Sequence, residues 1–363
     1  VKKIIFITNI PSPYRVDFFS YLQQNFSEYE IYIIFSGAGM ENRKWSVELE
    51  KIDRYVVLKS RTVIIRRRYD DRYIFLPTGV EKALAAIGPD LVIAMEYNPT
   101  ILRAVHWCRK KKIPFLSWTD GTLWSERSIG RVQRASRRYI IKRAAGFVAS
   151  STASKEAQIA YGADPAKCFV SYLTVDIEKY LVKKETYGSK QLLYVGSLIQ
   201  RKGLDLLMPA LAQTDPGITL VIAGEGPEKE CLEEQIRSLG LTDRVTFLGY
   251  VEGEPLRELY RSSDAFILPT REDCFGLVIL EAMCASLPVI SSRYADGARD
   301  LIEEDGNGYI VDPEKKEELA AAITRCFADG TAERLGRQSY EKAQEFSFAH
   351  VAKGCAAAIR SVL

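Results

Sequence analysis

The chain has 363 residues, 47% of them apolar and 27% charged, a composition that excludes a disordered or fibrous protein and is too long for one comfortable core. Its longest apolar runs fall short of the ~20 residues that cross a bilayer. Only two histidines occur, and the seven cysteines are dispersed without a CxxC pair, so neither a histidine-rich metal site nor a disulfide framework is expected, and a reducing cytoplasm is. The net charge of +3 hides a split: residues 1–180 hold 29 Lys+Arg against 18 Asp+Glu, and residues 181–363 hold 21 against 29. Two halves with different partners follow from that asymmetry.

The opening VKKIIFITNIP is short, β-branched and without a small-residue cleavage site, so it is not expected to be a signal peptide. It leads a series of apolar runs that read as strands: 3–9, 31–36, 55–59, 91–96, 115–120, 146–150 and 168–173. They lack polar alternation, as strands buried on both faces of a parallel sheet do. Helix-length segments such as 99–112 and 128–143 separate them. The first loop, NIPSPYR (9–15), is stiffened by Pro11 and Pro13; it either aims Tyr14 and Arg15 at a ligand or is a rigid strand-to-helix connection.

Segment 127–143 is the densest basic stretch. Arg127, Arg131, Arg134, Arg138 and Lys142 are spaced for one helical face, with Val132, Tyr139 and Ile140 roughly opposite and packing inward. The runs RRRYDDRY (66–73) and RKKK (109–112) add charge. Such an array is either a solvated face or attracts an anionic surface, whether lipid head groups or a pyrophosphate-bearing acceptor. No nucleic acid is expected, because neither interleaved aromatics nor a helix-turn-helix pattern accompanies the charge.

KKETYGSK (183–190) reads as a linker. Beyond it the scheme repeats, with strands predicted at 192–197, 219–224, 245–250, 265–270, 288–292 and 308–312 and helix from there to the end. Strands alternating with helices argue for βαβ units with right-handed crossovers. The predicted fold class is therefore α/β: two doubly wound, Rossmann-like domains facing one another across a cleft.

In such sheets ligands sit beyond the carboxyl ends of the strands, and most of the suggestive strand ends fall in the second half. VGSLIQRKG (195–203) follows a strand and brings Arg201 and Lys202 to its end, which suits a phosphate or is a solvated loop. GEGPEKE (224–230) lacks the third glycine of a dinucleotide fingerprint. In REDCFGLVILEAM (271–283) a strand ends, Arg271–Cys274 turn, and a helix opens at Phe275 or Gly276. Amides at Phe275–Val278 then face the strand end as an anion site. Asp273 accepts hydrogen bonds from a ligand or is an N-cap; Glu281 is ligand-facing or a satisfied core carboxylate.

Taken in order, RKG after VGS, IAGEGPE, VTFLGYV and LPTREDCFGLVILEAMCASLPVISS resemble the retaining glycosyltransferases of family 4, which have the two-domain GT-B architecture. The motifs cover roughly residues 192–312; the first half resembles the family mainly in its architecture. The resemblance implies an acceptor-binding domain at 1–180, a nucleotide-sugar-binding domain at 181–345 and a C-terminal helix at 346–363 packing back on the first. It pairs Asp273 with Glu281 across seven intervening residues, the first contacting the transferred sugar and the second the ribose. The family's usual first residue is Glu, so Glu272 is a neighbouring substitute. Lys202, aided by Arg201, matches the diphosphate lysine. The Phe275, Gly276, Leu277 and Val278 amides hold sugar and diphosphate, and Gly249, Tyr250 and Val251 contact the nucleobase. Asp120 takes the place of the family's catalytic histidine, with Tyr14 and Arg15 on the acceptor side.

The implied enzyme is a metal-independent, retaining hexosyltransferase without a cofactor. It moves sugar from a nucleotide-sugar, UDP-linked on base rates, to a glycan or lipid-linked acceptor in surface polysaccharide synthesis, at the inner face of the cell membrane. Two other classes stay open: a sugar-nucleotide epimerase of the same architecture, and a non-catalytic sugar- or membrane-binding protein.

Overall fold

Apolar runs such as Ile4–Ile7 and Leu91–Met95 are wholly buried, because they form central strands covered by helices on both faces. The computed structural model describes residues 1–39, 45–66 and 72–363, with Arg72 described by its backbone alone. Most of the basic run 66–73 therefore lies outside the described residues. Residues 1–176 and 348–363 make one compact unit and residues 177–347 a second.

In the first unit the chain runs β1 (Lys2–Thr8), α1 (Pro13–Asn25), β2 (Tyr29–Phe35), β3 (Tyr55–Val57), β4 (Ser60–Ile65), β5 (Arg72–Pro77) and α2 (Val80–Ile87). It continues through β6 (Leu91–Met95), α3 (Pro99–Lys111), β7 (Phe115–Thr119), α4 (Arg131–Ile141), β8 (Gly146–Ala149), α5 (Thr152–Ala160) and β9 (Cys168–Val170). Seven strands form one parallel sheet in the order β3-β2-β1-β6-β7-β8-β9. Val80, Leu84, Ile101, Val105 and Ile140 carry α2, α3 and α4 onto one face of it. Val16, Phe19 and Leu22 of α1 cover the other face, joined there by Val351, Ala352, Cys355 and Ile359 from the last helix of the chain.

The second unit runs β10 (Gln191–Val195), α6 (Leu204–Leu211), β11 (Thr219–Ala223), α7 (Lys229–Ser238), β12 (Val245–Gly249), α8 (Gly253–Ser262), β13 (Ala265–Leu268) and α9 (Leu277–Cys284). Then come β14 (Val289–Ser292), α10 (Ala298–Leu301), β15 (Gly308–Val311), α11 (Lys316–Cys326) and α12 (Thr331–Ala343), before α13 (Phe348–Arg360) returns to the first unit. Its six strands are parallel in the order β12-β11-β10-β13-β14-β15. Both units are thus doubly wound, with strand order reversing between β1 and β6 in one and between β10 and β13 in the other.

Four local expectations change. Strands β4 and β5 pair as an antiparallel ribbon that the sequence did not announce, since Val63, Ile64 and Ile65 are all exposed and show no inward-outward alternation. Helix α4 begins at Arg131, so Arg127 sits in the preceding turn with its guanidinium 4.0 Å over the Trp124 ring. Val132 is 83% exposed rather than inward, because the first turn of α4 lies outside the core that Ile140 and Ile141 reach. The stretch 183–190 is no loose linker. Buried Asp264 accepts from Gly188 N, Ser189 Oγ and Lys190 N at 2.8–3.0 Å and pairs with Lys184 Nζ at 2.8 Å. Among the described residues, no helix is long and apolar enough to cross a membrane.

Candidate active site

The order reversal between β10 and β13 opens a crevice at their carboxyl ends, the place where open α/β sheets bind ligands. Two loops meet there. After β10, residues 196–203 end in a single helical turn, Gln200–Lys202. After β13, residues 269–276 turn into α9. They are laced together through the backbone: Arg201 O accepts from Arg271 N at 2.8 Å and from Thr270 Oγ1 at 3.0 Å. Arg201 Nη1 in turn donates to Glu272 O at 2.8 Å. Arg271 forks onto Asp205 at 2.7 and 2.6 Å and donates to Gln200 O at 2.7 Å, fastening the lacing from behind.

The lacing brings Lys202 and Asp273 together, with Nζ 2.6 Å from Oδ2 and Arg201 Nη1 at 4.0 Å. Asp273 Oδ1 accepts the Phe275 N–H at 3.2 Å. Burial alone would push the Asp273 carboxyl up; the charges of Lys202 and Arg201 and these hydrogen bonds hold it down at about 2. Asp273 is not the N-cap of α9, which is Gly276. Phe275 also departs from expectation, since its amide already serves Asp273 and its ring is buried. The N–H groups that the first turn of the helix leaves without an intrahelical partner are those of Gly276, Leu277 and Val278.

Glu281 lies in the second turn of α9. Its Oε2 accepts from Tyr260 Oη at 2.8 Å, and Tyr180 also hydrogen-bonds to it. Burial pushes its carboxyl above the usual range, and the two phenols only partly offset that. A carboxyl with a raised folded pKa costs stability while ionised, and the cost disappears as pH falls through that pKa. Glu281→Gln is therefore expected to melt above the wild type at pH 7, with the gap closing in acid. A lower Tm for the variant at pH 7 would mark Glu281 as a satisfied core carboxylate.

Along the same edge, β12 ends at Gly249, and Tyr250 and Val251 follow it. Tyr250 N donates to Glu225 Oε1 at 3.3 Å, its Oη to Glu252 Oε2 at 2.8 Å, and its ring is 40% exposed. From β12 through β11 and β10 to β13 the loops form a row of three strand spacings, roughly 14 Å. A long, segmented ligand can lie along such a row.

The other predicted site residues, Tyr14, Arg15 and Asp120, lie in the first unit, in the first turn of α1 and at the carboxyl end of β7. Asp120 follows β7 and pairs with Arg15 Nη2 at 2.5 Å, while Ser150 Oγ donates to its other oxygen. Arg15 was expected to face a ligand. Instead it is buried in α1, its second nitrogen 3.7 Å from Met95 Sδ, and the charge of Asp120 raises its pKa despite burial. It positions Asp120 rather than presenting itself. Tyr14 stays half-exposed beside it, its phenol pushed up by burial. Sequence reasoning missed Glu96 and Asn9, whose side chains hydrogen-bond across the ends of β6 and β1. The one signal was a carboxylate closing the apolar run LVIAM.

Two Rossmann-like units in one chain, the second with a cationic loop and an acidic turn at its switch point, define the GT-B architecture of glycosyltransferases. The chain belongs to the family 4 glycosyltransferases: residues 18–179 match the family described as Glycosyltransferase Family 4, and residues 176–342 match Glycosyl transferases group 1. An uncharacterized glycosyltransferase of Methanocaldococcus jannaschii is 36% identical over 142 residues, 39% of this chain and 36% of that protein. The chain thus spans little more than a third of that relative's length. The solved structure of Anabaena HepE in complex with UDP has a TM-score of 0.79 at 20% identity, covering 99% of this chain and 100% of that one. The lipopolysaccharide outer core galactosyltransferase WaaB, in its apo form, has a TM-score of 0.78 at 22% identity over 99% and 100%. At those identities the likeness is one of fold.

Proposed function

We propose that this chain transfers a sugar from a nucleoside diphosphate sugar, UDP-linked by preference, to a hydroxyl of a glycan or lipid-linked acceptor, with retention at the anomeric carbon. The observation that carries it is Lys202 held against Asp273 at the switch point, beside the first-turn amides of α9. As the bond from the anomeric carbon to the diphosphate breaks, negative charge grows on the leaving oxygen. Lys202 and the amides of Gly276, Leu277 and Val278 stabilise that charge, and as fixed donors they need no reorganisation. The new bond forms to the acceptor oxygen on the same face, and the acceptor's proton passes to the departing phosphate oxygen. Glu281 holds the ribose, Tyr250 and its neighbours take the base, and Asp273 or Glu272 takes the sugar hydroxyls. HepE's complex with UDP supports the choice of base.

A thermal-shift series with UDP, GDP and ADP tests the donor half. UDP at about 100 times its Kd should stabilise the protein by about 2.7 kcal/mol; no shift with any nucleoside diphosphate sinks the proposal.

For the acceptor, WaaB's action on lipopolysaccharide supports a surface glycan. Arg127, Arg131, Arg134, Arg138 and Lys142 are all exposed, which supports attachment to an anionic membrane surface at the inner face of the bilayer. Vesicles containing phosphatidylserine should pellet the protein at low salt and release it as salt rises. Equal pelleting by neutral vesicles would refute that placement.

A further inference from the structure

The first unit carries the antiparallel ribbon β4–β5 outside its parallel sheet, and the root of that ribbon is firmly held. Phe75, opposite Thr62, is 3% exposed because its ring lies on Gly37, where an added Cβ would come 2.8 Å from Cδ1. Thr78 N donates to Lys59 O at 3.0 Å, and Arg103 Nη1 of α3 donates to Pro77 O at 2.6 Å. These contacts fix the direction in which the ribbon leaves the unit.

Beyond Phe75 the cover ends. Val63 and Ile65 are 44% and 43% exposed, and Leu76, opposite Arg61, is 43% exposed. Successive residues of a strand point to opposite faces, so these three share one face, which Ile74, opposite Val63, continues. Ile64 stands on the other face and is as open. A two-stranded ribbon is marginal by itself, and exposed aliphatics on it are a liability in water. The ribbon therefore calls for a surface that takes its open face up.

Charge selects that surface. Residues 59–66, KSRTVIIR, hold three cations and no acid, and Lys59, Arg61 and Arg66 are all exposed. Helix α3, which meets the root through Arg103, ends in four exposed cations at 109–112, and Arg109 Nη1 donates to Tyr139 Oη of α4 at 3.0 Å. Ribbon and basic helix thus border the same helix. A second copy of the chain on a two-fold axis would bring these like charges together. A handful of aliphatic side chains also falls far short of the ~800 Å² per partner that a stable protein interface covers. An anionic bilayer meets both demands, with headgroups for the cations and an acyl boundary for the aliphatics.

We propose that the β4–β5 ribbon lies along an anionic bilayer, with the face of Val63, Ile65 and Leu76 entering the boundary between headgroups and acyl chains. Arg61 and Arg66 stand at either end of the apolar run and reach back to the headgroups. Tip-first entry is excluded, because it would drive Arg66 into the hydrocarbon. The proposal deepens the membrane placement given above and rests on it: α4 supplies the attraction, the ribbon the apolar hold.

The double variant Val63→Thr/Ile65→Thr tests it in the full chain, since threonine keeps the β-branched shape and removes the apolar tip. Its partition onto phosphatidylserine vesicles should fall at least about tenfold, with the salt dependence unchanged because no charge is lost. Arg131→Gln/Arg138→Gln should instead flatten the salt dependence. On the same vesicles Val63→Trp should shift its emission to the blue and be quenched by brominated acyl chains, and Ile64→Trp should show much less of either, each read against the chain's four tryptophans. Unchanged partition of the double variant, or equal quenching at positions 63 and 64, would overturn the ribbon's role and leave the charge-based placement standing. A wild-type dimer that the double variant converts to monomer would overturn it too and assign the face to a second copy. A wild type that no anionic vesicle pellets refutes the placement itself, and the ribbon's role with it.

Discussion

Lys202→Ala is expected to lower turnover by about 10²–10³-fold, the usual cost of removing one preorganised donor from a developing oxyanion. On the proposed reaction Lys202 is the point charge of the second unit's crevice, and the α9 amides cannot replace its full charge. The fold should survive, because Arg201 stays 4.0 Å from Asp273 and its backbone lacing does not involve the lysine side chain. Stability carries a second signature. Asp273 titrates at about 2, below its ordinary 3.8, so its ionised form contributes stability that is complete above pH 4 and lost as pH falls towards 2. Without Lys202 that contribution shrinks. The Tm gap between wild type and variant should be open at pH 7 and closed near pH 2. Steady-state UDP release and melting curves across pH measure both. Turnover within a factor of three of wild type would remove Lys202 from the mechanism.

What could be read in advance divides along sequence distance. The strands were legible because an apolar run without alternation has few places to go but a covered parallel sheet, as Ile4–Ile7 and Leu220–Ala223 do. The pieces of the second unit's crevice were legible because each is a short strand-end segment, Arg201 and Lys202 after one strand and Glu272 and Asp273 after the next but two; that they meet across 71 residues is a property of the fold. What failed was long-range or conformational. Arg15 looked ligand-facing because its partner Asp120 lies 105 residues away. Glu281 stayed open between a ligand-facing and a core role because its partners, Tyr260 and Tyr180, stand on other elements. KKETYGSK looked like a linker because Asp264, which pins it, is 74 residues beyond Lys190. Glu96 was passed over because its partner Asn9 lies 87 residues away on another strand end.

Gly203→Ala should unfold the second unit's crevice, at a cost of about 3–5 kcal/mol and roughly 10 °C in Tm. Two effects add. Gly203 has φ +72°, so any side chain is strained there, and a Cβ would come 2.0 Å from Pro269 O and 3.0 Å from its carbonyl carbon. Those atoms are backbone and belong to the segment that leads to Asp273, so relief means parting the two loops. The first bonds to go are Arg271 N to Arg201 O, at 2.8 Å, and Arg271 Nη1 to Gln200 O, at 2.7 Å. Lys202 would then leave Asp273, and UDP should no longer stabilise the protein. Gly240→Ala separates the effects, since Gly240 has a similar φ of +67° and no atom within 4 Å of its would-be Cβ. It should cost only about 1–2 kcal/mol and leave UDP binding untouched. If the two variants melt alike, the close approach to Pro269 contributes nothing. The loops would then be held by Arg271 and its fork onto Asp205, and Arg271→Ala would become the substitution that opens the site.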